Sequence, residues 1–420
     1  MSGRLILLAR RFPYNHGEVA AESYLEAEIG FLAKHFDSVL AVATEASSSD
    51  SLTCALPDNV EPLPLGCAPT KVHKLILSAR GQAYAFSAPK RVRDAMESDP
   101  VVTMKQRLFR GYFVARAQEK YAKLTIELQS RKFVPTSIYS FWFYDIALVA
   151  FWLKGYYRHT RAITRAHRYD LYRDCVSVDY LPFRELLLSG LDMILPCSED
   201  GHAYIDSNWP GHSGKLLTAY LGTTDLPDNS GSEKANIFHV VSCSRIVSVK
   251  RVGLIADAMR ILNDEGIHVY WTHYGDGPEK QEIAHKCSEF KSVIVHLPGK
   301  IPNAKLLQLY GTEHIDLFVN VSASEGLPIS IMEACGIGAP ILATDVGGTH
   351  EIVRNGVNGI LLPANPDAIQ IARAIKEFVN MSDRDFHLMR QASRHIWEQN
   401  FRTENNVNIL IRLLKGSVTE

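Results

Sequence analysis

Four side chains in the second half of the chain have the types and spacing to hold an elongated, charged ligand. Arg245 and Lys250 stand five residues apart in Ser242-Cys243-Ser244-Arg245-Ile246-Val247-Ser248-Val249-Lys250-Arg251. Two cations on a loop leaving a strand can clamp a diphosphate from two sides, Arg through a planar fork and Lys as a point charge. Glu325 and Glu333 bracket a second stretch, Glu325-Gly326-Leu327-Pro328-Ile329-Ser330-Ile331-Met332-Glu333. It follows the apolar run 315–321 and opens a helix predicted over 328–336. Pro328 falls in the first turn, where its missing N–H costs nothing. Gly326 lets the backbone come close to a ligand. Free N–H groups at a helix start attract anions and polar oxygens. Glu333 lies about two helical turns beyond Glu325, so each carboxylate could grip a different part of one ligand.

Such residues must be held by a scaffold, and the order of elements points to a doubly wound α/β one. A strand at 4–9, a loop carrying Gly17, a helix at 21–35 and a strand at 38–44 form the opening unit of a parallel sheet. Strands at 136–140, 162–165 and 191–196 continue it, a short strand is expected at 216–220, and 45–70 reads as connecting loops. A second domain of the same kind starts at 237–243 and continues through strands at 269–273, 293–297, 315–321 and 340–344, with a hairpin-like return at 355–362. Ligands of such sheets bind at the carboxyl ends of strands. That places His167 and the loop of Gly17 on the ligand side; the strand at 269–273 ends in the turn Tyr274-Gly275-Asp276-Gly277-Pro278 and the one at 293–297 leads to Pro298-Gly299-Lys300-Ile301.

Composition narrows the class. With 420 residues the expectation is two or three domains. A hydrophobic share of 46% and a charged share of 22% fit a soluble globular protein. A net charge of −1 argues against wholesale nucleic-acid binding. Seven Cys without a CxxC pair or zinc spacing suggest a reducing compartment. The run Leu5-Ile6-Leu7-Leu8-Ala9 reads as a first buried strand rather than a signal segment. No apolar run reaches the length of a membrane span. Residues 71–132 stand apart: fourteen Lys and Arg face five Asp and Glu, a net of +9, with aromatics interleaved. That surface could sit on an anionic leaflet.

Glu-x7-Glu enclosing Gly-Leu-Pro resembles the donor-site motif of retaining glycosyltransferases of the GT-B fold, family 4, also called glycosyl transferases group 1. The resemblance implies two Rossmann-like domains facing a central cleft: an acceptor-side domain at 1–222, a linker at 223–235, a nucleotide-sugar domain at 236–400 and a final helix, 401–420, crossing back to the first. It implies that Arg245 and Lys250 neutralise the leaving nucleoside diphosphate. Glu325 and the backbone of Gly326, Leu327, Pro328 and Ile329 would face the hexose, and Glu333 would take the ribose hydroxyls. His167 would approach the donor sugar and diphosphate, with Gly17 nearby. Gly275 and Gly277 would lie beside the nucleotide, and the loop of Lys300 would hold the base.

The expected reaction is hexosyl transfer from a UDP- or GDP-sugar to a hydroxyl of a glycan or lipid-linked acceptor, in cell-surface polysaccharide or glycolipid assembly, by a cytoplasmic or peripheral membrane protein. No Asp-x-Asp motif appears and two cations already serve the phosphates, so no metal and no resident cofactor is expected. Two other readings share the fold: a nucleotide-sugar epimerase and a non-catalytic carbohydrate-binding subunit. A nicotinamide enzyme is disfavoured, since no Gly-x-Gly-x-x-Gly follows a strand with an acidic residue about 20 residues on.

Overall fold

The computed structural model describes residues 3–15, 22, 24–83, 89–99, 101 and 103–416. Gly17 lies outside the described residues. By internal contacts the chain divides into two compact units, Met1–Leu221 with Glu404–Glu420, and Gly222–Thr403.

The first unit is built on a parallel sheet. Its strands are β1 (Arg4–Ala9), β2 (Ser38–Ala43), β3 (Val60–Pro64), β4 (Ser137–Ser140), β5 (Arg161–Ala166) and β6 (Met193–Pro196), in spatial order β3-β2-β1-β4-β5-β6. Leu5 to Ala9 are all fully buried, as a parallel strand covered on both faces requires. The order reverses between β1 and β4, the place where ligands of such sheets collect. The last helix, Thr403–Lys415, closes one face: Val407, Leu410, Ile411 and Leu414 pack with Leu5, Leu7, Val39 and Tyr139.

The second unit repeats the plan with β7 (Phe238–Cys243), β8 (Val269–Tyr274), β9 (Val293–Gly299), β10 (Leu317–Asn320), β11 (Ile341–Thr344) and β12 (Gly359–Leu362), ordered β12-β11-β10-β7-β8-β9. Its reversal falls between β7 and β10. The helix Val252–Asp264 turns Ile255, Met259 and Leu262 onto the sheet, and Ala368–Asn380 adds Ile371, Ile375 and Phe378.

Three local expectations differ from what the fold shows. The stretch 45–70 contains β3, whose Pro62 and Pro64 are tolerated because it is an edge strand that pairs only with β2. Residues 216–220 form no strand; Leu216 makes one isolated bridge to Ile194. The return at 355–362 is not a hairpin, since β12 runs parallel to β11. The basic stretch folds as helices Lys71–Ala83, Lys90–Glu97 and Met104–Ser130. Among the described residues no helix is long and apolar enough to cross a membrane.

Candidate functional site

The second unit gathers its candidate residues at the carboxyl ends of β7, β8 and β10. The loop after β7 ends in a short 3-10 turn, Ser248–Lys250. The Val249 carbonyl accepts the Ala323 N–H at 2.8 Å, which ties this loop to the one after β10. Lys250 Nζ then lies 2.6 Å from Glu325 Oε1. Two sequence motifs 75 residues apart thus meet in one ion pair. Both side chains keep some exposure, 26% for Lys250 and 10% for Glu325, so neither is sealed from a ligand.

Glu325 is positioned by a residue that the motif did not single out. Asn320, at the end of β10, donates Nδ2–H to Glu325 Oε1 at 3.1 Å, and its Oδ1 accepts the Ser322 N–H and hydroxyl at 3.1 and 2.6 Å. The Gly326 carbonyl accepts the Gly348 N–H at 2.8 Å, fixing the backbone before the helix Ile329–Gly336. Pro328 precedes that helix without a side-chain cap, which leaves its first N–H groups to be met from outside. Leu327 and Ile329 are partly exposed on the same turn.

Glu333 sits just over one turn into this helix, 7% exposed, and accepts Asn303 Nδ2–H at 3.1 Å. Burial pushes its carboxyl up to about 7, with the Asn303 hydrogen bond opposing the shift. The partly buried Cys243 thiol is pushed up to about 12 by desolvation and by the Glu333 charge. Tyr310 is fully buried in the same cluster.

The two glycines after β8 serve close backbone approach. A Cβ on Gly275 would stand 1.8 Å from the Ser244 carbonyl oxygen, and one on Gly277 2.0 Å from that of Ile246. Ser244 N–H bonds the Tyr274 carbonyl at 3.1 Å and Ile246 N–H that of Asp276 at 2.9 Å. Only glycine lets the two loops run side by side. Arg245 projects from this ladder, exposed, and among the described residues its guanidinium makes no ion pair or hydrogen bond. Lys300 follows β9 directly and is exposed.

His167 belongs to the first unit, at the carboxyl end of β5. Its Nε2 lies 2.9 Å from the Phe141 carbonyl oxygen and its Nδ1 3.4 Å from Cys197 Sγ. The ring is flanked by Phe141 and Trp142 at centroid distances of 4.5 and 4.6 Å. A carbonyl can only accept, so Nε2 carries the proton. Burial, then the Arg165 charge, holds the imidazole down to about 3. His167 is therefore a neutral ring fixed through both nitrogens. Its backbone N–H donates to the carboxylate behind it, Asp170 Oδ1, at 2.6 Å.

A further carboxylate in this unit went unnoticed in the sequence. Glu22 is 6% exposed and accepts the backbone N–H groups of Arg10, Arg11 and Phe12 at 2.8, 2.8 and 2.7 Å, and the Trp142 indole N–H. It shapes the loop leaving β1 and joins it to the segment after β4. Nothing in the local sequence signals that role, because its partners are backbone amides.

The second unit therefore presents cations, open helix amides and two anchored carboxylates at the reversal point of a Rossmann-like sheet. The class of protein this defines is a GT-B one. Over 99% of this chain and 98% of its own, a glycosyltransferase structure from Rickettsia africae superposes with a TM-score of 0.68 at 11% identity. Anabaena Alr3699/HepE, solved in complex with UDP-glucose, superposes with a TM-score of 0.62 at 16% identity, over 99% of this chain and 100% of its own. Residues 226–400, within the second unit, match the family model described as Glycosyl transferases group 1. A putative colanic acid biosynthesis glycosyltransferase, WcaL of Salmonella typhimurium, is 23% identical over 218 residues, 50% of this chain and 53% of that protein. The chain spans less than two thirds of the length of the first curated relatives it matches.

Proposed function

We propose that the protein is a retaining glycosyltransferase that moves a hexosyl group from a UDP- or GDP-sugar to a hydroxyl of a glycan or lipid-linked acceptor in polysaccharide or glycolipid assembly. The observation that carries the reading is the 2.6 Å contact between Lys250 and Glu325, which sets a cation suited to a phosphate beside a carboxylate suited to a sugar hydroxyl. The matched family domain and the relatives named for polysaccharide assembly support the same reading.

The barrier to such a transfer lies in expelling a dianionic leaving group and carrying positive charge on the sugar ring. Arg245 and Lys250 would supply fixed charge at the diphosphate, together with the open amides before Ile329. Glu325, held by Asn320, would anchor sugar hydroxyls so that the anomeric carbon is presented in line. Glu333 would accept hydrogen bonds from the ribose hydroxyls, a task that needs its ionised form. Lys300 would lie by the base, and Gly275 and Gly277 would keep the nucleotide side open. His167, being neutral, would offer the donor a ring edge rather than a charge, and Gly17 would act near the diphosphate. The leaving phosphate would take the acceptor's proton. With two cations at the diphosphate, transfer would need no metal.

The protein would work on the cytoplasmic side, and an anionic membrane surface reached through residues 71–132 would present a lipid-linked acceptor. Release of nucleoside diphosphate, measured across a panel of UDP- and GDP-sugars with glycan acceptors, tests the reading. Turnover of a donor that depends on acceptor supports it. Isomerisation of the donor alone would identify an epimerase, and no turnover with any pair would leave a binding subunit.

A further inference from the structure

The helix Lys71–Ala83 has two apolar faces, and only one is used. Leu77 and Gly81 are buried against the helix Met104–Ser130. The contact is close: a Cβ on Gly81 would stand 2.0 Å from the Gly111 carbonyl oxygen. His73 adds a 2.9 Å bond to Glu119. On the other side Val72, Leu75 and Ile76 are 67, 72 and 52% exposed, and Ala79 and Ala83 are exposed with them. At the angular step of an α-helix these five positions fall within an arc of about 100°. Met104 and Leu108, 65 and 45% exposed, extend the apolar surface from the first turns of the longer helix, whose Arg107 carbonyl meets Gln82. Large apolar side chains grouped this way on a solvent face call for an occupant.

The charges around the stripe say which. Lys71, Lys74, Arg80, Lys105 and Arg107 are all exposed, and among the described residues their side chains make no ion pair. The stretches 71–83 and 104–118 contain no Asp or Glu at all. The rest of the basic region is different. Arg116 and Lys120 are spent on buried Glu45 and Asp145, Lys123 on Glu119, Arg131 on Glu61 and Glu127, and Arg110 on the Met96 and Asp99 carbonyls. Unpaired positive charge is thus concentrated at the rim of the apolar stripe, with Lys90 and Lys132 the exposed cations elsewhere in the region that make no ion pair among the described residues. A second copy of this chain is a poor occupant, because a symmetric contact would set these cations against one another.

We propose that the helix Lys71–Ala83, with the first turns of Met104–Ser130, lies in the plane of an anionic lipid bilayer. Val72, Leu75, Ile76, Met104 and Leu108 enter the acyl boundary, and the flanking Lys and Arg reach headgroup phosphates. The stripe from Val72 to Ala83 is about 16 Å long, suited to lying on a membrane rather than crossing it. The inference concerns the first unit alone. It rests on the proposed transfer only for its consequence, that a lipid-linked acceptor would be met at this face.

Flotation of the full chain with vesicles tests it. Vesicles of phosphatidylcholine with one quarter phosphatidylglycerol should carry the protein, and pure phosphatidylcholine vesicles should carry far less. Leu75→Glu with Ile76→Glu should cut partitioning by at least about tenfold, and each cation removed from Lys71, Lys74 or Arg80 by roughly fivefold. Part of the wild-type binding should survive about 0.5 M salt, where exposed charge is screened, because the stripe is inserted. These positions are exposed, so melting temperatures and nucleotide-induced thermal shifts should stay at wild-type values. Wild-type protein that stays off the anionic vesicles, or a Leu75→Glu/Ile76→Glu variant that binds them as well as wild type, overturns the proposal. A wild-type dimer dissolved by the double variant, with no vesicle binding, also overturns it. Loss of nucleotide response with intact flotation would instead count against the transferase reading.

Discussion

The two Rossmann-like units share a strand plan and put charge to opposite uses. In the first, several charged groups near the strands are buried and ion-paired. Arg165, fully buried, lies 2.6 Å from Glu28. Asp170, 2% exposed, accepts the Phe143 and His167 N–H groups at 2.6 Å each, and Arg116 and Lys120 meet Asp145 at 3.1 and 2.8 Å. In the second unit the equivalent strand ends hold the partly exposed Lys250–Glu325 pair and an exposed arginine, Arg245, without an ion pair among the described residues. Charge that is sealed with its partner holds a fold together, and charge with spare capacity is available to a ligand.

The largest effect should come from breaking the sealed kind. Arg165→Met leaves the Glu28 carboxylate buried and unpaired, which costs about 3–5 kcal/mol. Urea denaturation should show that loss, while any folded fraction keeps its affinity for nucleotide. Lys250→Ala should do the reverse. A charge-assisted contact is worth roughly 1.5–3 kcal/mol, so nucleoside diphosphate affinity should fall by about ten- to a hundredfold with little change in melting temperature. If Lys250→Ala unfolds the protein and Arg165→Met does not, the contrast between the units is wrong.

A smaller effect follows from Glu333. Its carboxyl is raised from 4.5 to about 7 by burial, so the folded state holds a proton that the unfolded state has lost between those values. That contribution to stability is present below about pH 4.5 and is lost as pH rises through about 7. Glu333→Gln should therefore melt higher than wild type at pH 8 and no higher at pH 4. Ribose binding needs the ionised carboxylate, so wild-type nucleotide affinity should weaken by up to about tenfold from pH 8 to pH 6, and Glu333→Gln should lack that slope. The smallest effect is expected from a chelator: initial rates with and without it should agree, and a rate restored only by added divalent ion would refute metal independence.

How much of this was legible in the chain depends on where each partner lies. The strands were readable because Leu5–Ala9 is a continuous apolar run and 237–243 a mainly apolar one, and the carboxylates because Glu325 and Glu333 sit in one local motif. β3 was hidden by Pro62 and Pro64, which argue against a strand unless its edge position is known. Asn320, Asn303 and Glu22 were invisible for another reason. Each acts on a group brought near by folding: Asn303 on a helix 30 residues on, and Glu22 on backbone amides that any residue type would supply. The spread of charge over 71–132 was also misleading as a sum, since the structure pairs most of it from Glu119 onward.

The central claim is that the strand ends of the second unit hold a nucleotide diphosphate through Lys250 and Arg245. Calorimetric titration of the wild type and of Lys250→Ala with UDP and GDP tests it most directly. The account predicts saturable one-to-one binding of one of the two nucleotides by the wild type and at least about tenfold weaker binding by the variant; no binding of either nucleotide, or equal affinity in both proteins, would contradict it.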